Sequence, residues 1–286
     1  MKLLRYGPVG SERPAVLSPD GRAVDVGEIV GDFDQRFFAS GGLDELRGAL
    51  GPDVTGEPID LSGRRIGAPI AKPYQVICIG LNYADHAAEA GRDIPTEPVV
   101  FNKGPATVVG PNDDVLLPPG STRTDWEVEL AVVVGRTARY LPDEGAAREC
   151  IAGYAIANDV SEREYQLERG GQWVKGKSCE TFNPLGPWLV TADEVDDVSD
   201  LAMRLDVNGV RMQDASTATM IFGVDHLVWY LSQFMVLEPG DLINTGTPAG
   251  VGMGRTPPRY LTEGDVIELA IEGLGTQCQL VRRAYL

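Results

Sequence analysis

Asp125-Trp-Glu127-Val-Glu129-Leu-Ala-Val-Val-Val-Gly135 is the stretch from which the fold is read. In a strand, residues two apart share a face, so Val128, Leu130, Val132 and Val134 line one side and Glu129, Ala131 and Val133 the other. Beyond the glutamates both faces are apolar, which predicts a strand covered on both sides. Glu127 and Glu129 point the same way, about 6.6 Å apart along the chain. On an exposed edge such a pair is simply solvated; at the end of a buried strand it needs a compensating cation. A third carboxylate ends another apolar run, Ile151-Ala-Gly-Tyr-Ala-Ile-Ala-Asn158-Asp159. Asp159 with Glu162, and Ser161 with Glu164, both have capping-box spacing ahead of a helix predicted over 161–169. Ser161 caps such a helix unaided, which frees Asp159. Glu127, Glu129 and Asp159, with waters and substrate oxygens, suit an octahedral site for a hard cation, Mg2+ or Mn2+.

Outward from this stretch the chain reads as short apolar segments punctuated by 34 glycines and 20 prolines. Strands are predicted at 76–79, 99–102, 127–135, 151–158, 201–207, 241–244, 266–271 and 277–281, with helices at 83–90, 161–169 and 224–235. The last of these would carry Leu227, Leu231 and Phe234 on one face. Strands with interspersed helices, without regular strand–helix alternation, argue for a β-rich α+β fold. Residues 1–70 read as a separate small α/β unit: strands at 2–6, 15–17 and 23–26, a Ser18-Pro19-Asp20-Gly21 turn, and helices at 34–38 and 43–50. The boundary then falls in the extended stretch Ile66–Pro73, leaving 71–286 as the larger domain.

Composition narrows the partners. At 286 residues and 43% hydrophobic, the chain has material for a sizeable core. The net charge of −17 repels phosphate backbones and anionic bilayers, so neither nucleic acid nor membrane is an expected partner. No apolar run reaches the ~18 residues of a span, and Met1–Gly10 lacks the apolar core of a signal peptide, so a soluble cytoplasmic protein is expected. Cys78, Cys150, Cys179 and Cys278 fall in no Cys-x-x-Cys pair, and with only His86 and His226 present any metal must be held by oxygen.

Three further features bear on chemistry. His86 lies three residues before Glu89 on a predicted helix, where a carboxylate can orient an imidazole that serves as a general base for water. Lys177 sits among prolines, glycines and large apolar residues, where a fixed ammonium suits an anionic substrate or a developing enolate. Thr245-Gly-Thr247-Pro-Ala-Gly-Val-Gly-Met-Gly254 lacks the Walker lysine and the dinucleotide spacing, and reads instead as a tight loop whose backbone and Thr247 line a small-anion pocket. His226 reads as a packing residue.

Five motifs now stand in order: Ile79-Gly-Leu-Asn-Tyr-Ala-Asp-His-Ala-Ala-Glu89, Asp125-Trp-Glu-Val-Glu-Leu130, Asn158-Asp-Val-Ser-Glu-Arg163, Lys175-Gly-Lys-Ser178 and Asn244-Thr-Gly-Thr-Pro-Ala-Gly-Val-Gly252. Together, over residues 70–286, they resemble the fumarylacetoacetate hydrolase superfamily, and most of all its bacterial branch acting on 2,4-diketo-3-deoxy sugar acids of the fuconate or rhamnonate type. The resemblance implies a mixed β-roll or β-sandwich with a variable small N-terminal domain, a homodimer, and one Mg2+ or Mn2+ per subunit on Glu127, Glu129 and Asp159. It implies that His86 and Glu89 activate water, that Lys177 is catalytic, and that Asn82, Tyr83, Arg163, Gln166, Thr181 and Thr247 contact substrate, Thr181 near the metal. Glu180 departs from the pattern, which has Asp there. The implied activity is hydrolysis of the C3–C4 bond of a 2,4-dioxo acid to pyruvate or a related 2-oxo acid and a carboxylic acid, in sugar-acid or aromatic catabolism. Decarboxylation of oxaloacetate, isomerisation or hydration of a dienoate, and cation-dependent binding without catalysis remain as alternatives. Specificity is expected to lie with the small domain, the 83–92 segment and the 255–260 loop.

Overall fold

A computed structural model describes residues 1–51, 54 and 56–285. The strand Val128–Val134 is buried at every position, as its two apolar faces require. It pairs antiparallel with Ile151–Asn158 on one side and with Leu242–Asn244 on the other. The large mixed sheet continues through Asn183–Thr191 beyond the first neighbour, and through Val76–Gly80 and Val99–Lys103 beyond the second. Only the contact between Leu242–Asn244 and Val76–Gly80 among these is parallel.

The sheet is covered on both faces. Val128, Leu130, Val132 and Val134 share a core with Met203, Leu205, Ile267 and Leu269 of a second, five-stranded sheet, and with Leu227 and Leu231 of the helix Val224–Ser232. Ala131 and Val133 face Phe33, Phe37 and Leu46 from the N-terminal segment, in a separate core cluster. Small residues on that second face let the helices Gln35–Ala39 and Gly42–Leu50 pack close to the strands. The fold is α+β and β-rich.

Several details differ from the sequence reading. Residues 1–70 are read from sequence as a unit apart; in the structure their strands extend the large sheet, Lys2 and Leu3 pairing with Val190 and Leu189. Asn183–Thr191 is a nine-residue strand where the sequence reading, with Pro184, Gly186 and Pro187 in the run, predicts none. It lies between Ile151–Asn158 and the first strand, and tolerates its prolines because its pairing with Ile151–Asn158 skips register beside them. The helix predicted over 161–169 is shorter, Arg163–Leu167, because Ser161–Glu162 pairs with Thr124–Asp125. Neither expected cap forms: Glu162 accepts from Glu164 N, and the Ser161 hydroxyl donates to the Asp159 carbonyl. Phe234 lies past the end of its helix and is 66% exposed, while Val224 and Val228 take the buried face with Leu227 and Leu231. Among the described residues no helix is long and apolar enough to cross a membrane.

Candidate active site

Glu127, Glu129 and Asp159 meet at the ends of two adjacent strands. Val128 pairs with Asn158, so the residues flanking that pair, Glu127 and Asp159, are brought side by side, and Asp159 N donates to the Glu127 carbonyl. All three carboxylates are buried, and one oxygen from each lies within 4.8 Å of the others. The sequence separation of 32 residues from Glu127 to Asp159 is closed by one antiparallel register.

Two lysines and an arginine knit Glu127 and Asp159, together with Asp125, into a line of alternating charge. Arg163 donates from Nε to Asp125 at 2.8 Å and its Nη1 lies 2.7 Å from Glu127 Oε1. Lys177 Nζ donates to Glu127 Oε2 at 2.6 Å and to Asp159 Oδ2 at 2.8 Å. Lys103 Nζ donates to Asp159 Oδ1, to the Phe182 carbonyl at 2.5 Å and to the Val160 carbonyl at 3.2 Å. Burial alone would favour neutral Glu127, but Lys177 and Arg163 pull harder and bring its pKa down to about 2. Burial likewise favours the neutral amine of Lys177, yet Asp159 and Glu127 outweigh it and raise its pKa. Lys177 reaches this position from the short helix Val174–Lys177, whose Gly176 is packed against the neighbouring segment. A Cβ there would sit 2.4 Å from the Glu162 carbonyl oxygen and 2.5 Å from Gln166 N.

Glu129 stands outside this line. Gly246 N donates to its Oε2 at 2.9 Å, but among the described residues no lysine or arginine nitrogen lies within ion-pair distance of it. Burial, then the Asp159 and Glu127 carboxylates, push its pKa well above the ordinary value. The six charges of the line cancel, and ionised Glu129 adds one uncompensated negative charge to a buried cluster. Three convergent hard oxygen donors with a surplus negative charge fit a divalent cation, and the cluster is placed to bind one.

A cavity of about 180 Å³ opens on this cluster. Its polar lining includes Glu127, Glu129, Lys177, Arg163, Gln166 and Thr247, and its apolar lining Ile79, Leu81, Phe101, Leu167 and Trp173; Asp159 and Glu89 stand behind these residues and do not line it. His86 also lines it, from the helix Ala84–Glu89, with Nδ1 3.3 Å from Glu89 Oε2. Glu89 is held in turn by Gly250 N at 3.0 Å. A Cβ on Gly254 would fall 2.2 Å from the Glu89 side chain, which would have to shift from its present place against the loop.

The glycine loop does gather anions, but they are the chain's own carboxylates. Gly246 N holds Glu129, Gly250 N holds Glu89, and Gly252 N and Met253 N hold Asp125. Thr247 lines the cavity, its hydroxyl donating to the Val128 carbonyl and accepting from Gln213 Nε2.

Three residues expected to contact substrate lie off the cavity. Asn82 is fully buried and ties Thr245 and Phe222 together through their backbones. Tyr83 is buried with its hydroxyl against Met203 Sδ. Thr181, at φ 63°, accepts from Leu116 N. His86, Ala90 and Arg92 of the 83–92 segment reach the cavity, whereas among the described residues none of its lining comes from 1–70 or 255–260. His226 is half-buried, stacked on Phe222 and paired with Glu144. Lys103, Asp125 and Gln213 were not singled out from sequence; Lys103 ends an alternating strand, and its partners lie 56 or more residues away.

Residues 75–282 match the family model described as fumarylacetoacetate (FAA) hydrolase, C-terminal. The chain belongs to the fumarylacetoacetate hydrolase family. A Burkholderia multivorans protein named "putative hydrolase" is 53% identical over 288 residues, covering 99% of this chain and all of that protein. The fumarylacetoacetate hydrolase of psychrophilic Exiguobacterium antarcticum is 37% identical at a TM-score of 0.84, over 99% of this chain and all of that one. A maleylpyruvate hydrolase from Sphingobium sp. SYK-6, crystallised with manganese(II) and pyruvate, is 29% identical at a TM-score of 0.81, with both chains fully covered. The chain is thus an enzyme of this family with hydrolase-named relatives.

Proposed function

We propose that this enzyme is a divalent-cation-dependent hydrolase that splits the C3–C4 bond of a 2,4-dioxo acid, releasing pyruvate or a related 2-oxo acid and a carboxylic acid, with Mg2+ or Mn2+ as its ion. The observation that carries this reading is that His86, backed by Glu89, lines the same cavity as Glu127 and Glu129, which lie with Asp159 in one carboxylate cluster. The manganese and pyruvate bound by the Sphingobium maleylpyruvate hydrolase support the choice of ion and product class. A divalent ion held by the three carboxylates supplies a Lewis acid for the 1-carboxylate and 2-oxo oxygens of such a substrate.

The remaining work falls to side chains. With its proton on Nδ1, His86 donates to Glu89, and Nε2 is left to take a proton from a water aimed at the C4 carbonyl. Glu89, fixed by Gly250 N, steadies the imidazolium that results. Lys177 stays charged between Glu127 and Asp159 and presents its positive field to the negative charge that develops on the departing 2-oxo acid. Phe101, Trp173 and Leu167 exclude water from the substrate's tail, and the small apolar wall favours a compact tail.

The test is a panel of 2-oxo and 2,4-dioxo acids assayed for pyruvate with Mg2+, with Mn2+ and with chelator. Turnover of a 2,4-dioxo acid that needs the ion, with His86→Ala slowing it ~10²–10⁴-fold while ion binding persists, is expected. Oxaloacetate consumption with loss of CO2 and indifference to Glu89→Gln would make it a decarboxylase. A change in dienoate absorbance without pyruvate would make it an isomerase, and ion binding with no turnover on the panel would leave a binding protein.

A further inference from the structure

We propose that Asp125, which does not line the cavity, is a positioning residue that sets the guanidinium of Arg163 to receive an anionic group of the substrate, with the Gly252–Met253 backbone as its anchor. This rests on the reading of the cavity as a site for an oxo acid. Asp125 is fully buried and both of its oxygens are filled. Oδ1 accepts from Gly252 N at 2.6 Å and Trp126 N at 2.9 Å; Oδ2 accepts from Met253 N at 3.0 Å and Arg163 Nε at 2.8 Å.

Those contacts fix the orientation of a planar fork. With Nε on Asp125 and Nη1 shared between Glu127 Oε1 at 2.7 Å and Gln166 Oε1 at 3.0 Å, the guanidinium has no freedom to rotate. What remains is Nη2, buried and without a hydrogen-bond partner among the described residues, on a residue that lines the cavity. A buried NH2 group with nothing to donate to is ready for a ligand acceptor, and a carboxylate or oxo oxygen supplies one. The anchor is written into the sequence. A Cβ on residue 252 would fall 2.0 Å from the Arg259 carbonyl oxygen and 2.7 Å from Asp125 Oδ1, so only glycine brings this backbone to Asp125. The same loop holds Glu129 and Glu89, so one backbone segment keeps the ion cluster, the water-activating pair and the anion clamp in mutual register.

The test is calorimetric binding of oxalate, as a small 2-oxo-acid mimic, to the full-length protein at saturating Mn2+, with Mn2+ affinity measured separately. Asp125→Asn puts an NH2 where Oδ faced only donors. It should weaken oxalate roughly tenfold or more while leaving Mn2+ bound, the size expected for one charge-assisted contact. Arg163→Gln should weaken oxalate at least as much, and Asp125→Asn with Arg163→Gln no further than Arg163→Gln alone, because the first acts through the second. Losses that multiply, or unchanged oxalate affinity in Asp125→Asn, overturn the inference. If Asp125→Asn does not fold, Arg163→Lys decides: its single ammonium has no fork to orient, and it should bind oxalate as weakly as Arg163→Gln, whereas wild-type affinity would overturn the inference. Wild-type protein that holds Mn2+ but no oxalate would sink the oxo-acid reading along with it; multiplicative losses on an intact wild-type affinity sink this inference alone.

Discussion

Replacing Glu129 by Gln should stabilise the ion-free protein, and by an amount that depends on pH in a defined direction. Glu129 is 1% exposed, outside every ion pair, and its pKa is raised by burial and by Asp159 and Glu127. Its folded-state value therefore exceeds the 4.5 of the unfolded chain, so its contribution is fully present below pH 4.5 and is lost as pH climbs toward the folded value. At pH 7 that loss is capped at 1.36 kcal/mol for each of the 2.5 pH units above 4.5, about 3 kcal/mol. Gln keeps the size of the side chain and an acceptor for Gly246 N, and removes that loss. With a chain of this length gaining about 2 °C per kcal/mol, the variant should melt higher in chelator at pH 7, by up to roughly 6 °C. The difference should shrink to nothing near pH 4.5. Thermal melts from pH 4.5 to 8 in excess chelator read it directly. A variant that melts no higher than wild type at pH 7, or whose gain does not depend on pH, would refute the reasoning. Added Mn2+ should reverse the order, because only the wild-type cluster gains ligand-binding stability.

Other perturbations separate structure from chemistry. Lys103→Met leaves Asp159 Oδ1 and the Phe182 and Val160 carbonyls without their shared donor, and should destabilise the fold by about 3–5 kcal/mol in denaturant titrations. Gly80→Ala would place a Cβ 2.5 Å from the Trp173 ring, forcing Trp173 toward the cavity it lines. It should raise KM well before it lowers kcat, with a change in tryptophan fluorescence; unchanged kinetics would remove Trp173 from the binding wall.

The strands that build the site were legible because Val128–Val134 and Ile151–Asn158 are apolar on both faces, and such runs have few other homes. The carboxylates at their ends were legible for the same reason: an acid there needs a partner. What escaped was whatever depends on contacts distant in sequence. Lys103 falls just past the strand predicted at 99–102 and carries no local signal, because its partner Asp159 lies 56 residues on. Asn183–Thr191 was hidden by its prolines, whose local signal says turn while the sheet on either side imposes extension. Asn82, Tyr83 and Thr181 sit in or near motifs of the family pattern, yet their polar atoms serve the scaffold around the cavity. In the glycine loop the anion-binding geometry was readable, but nothing local told that the anions are Glu129, Glu89 and Asp125.

The measurement that bears most directly on the whole account is anomalous diffraction from crystals grown with Mn2+. The account predicts one strong peak per chain within about 2.2 Å of an oxygen from each of Glu127, Glu129 and Asp159. A peak bound elsewhere, or a cluster left without manganese with Lys177, Lys103 and Arg163 as its only cations, would contradict it.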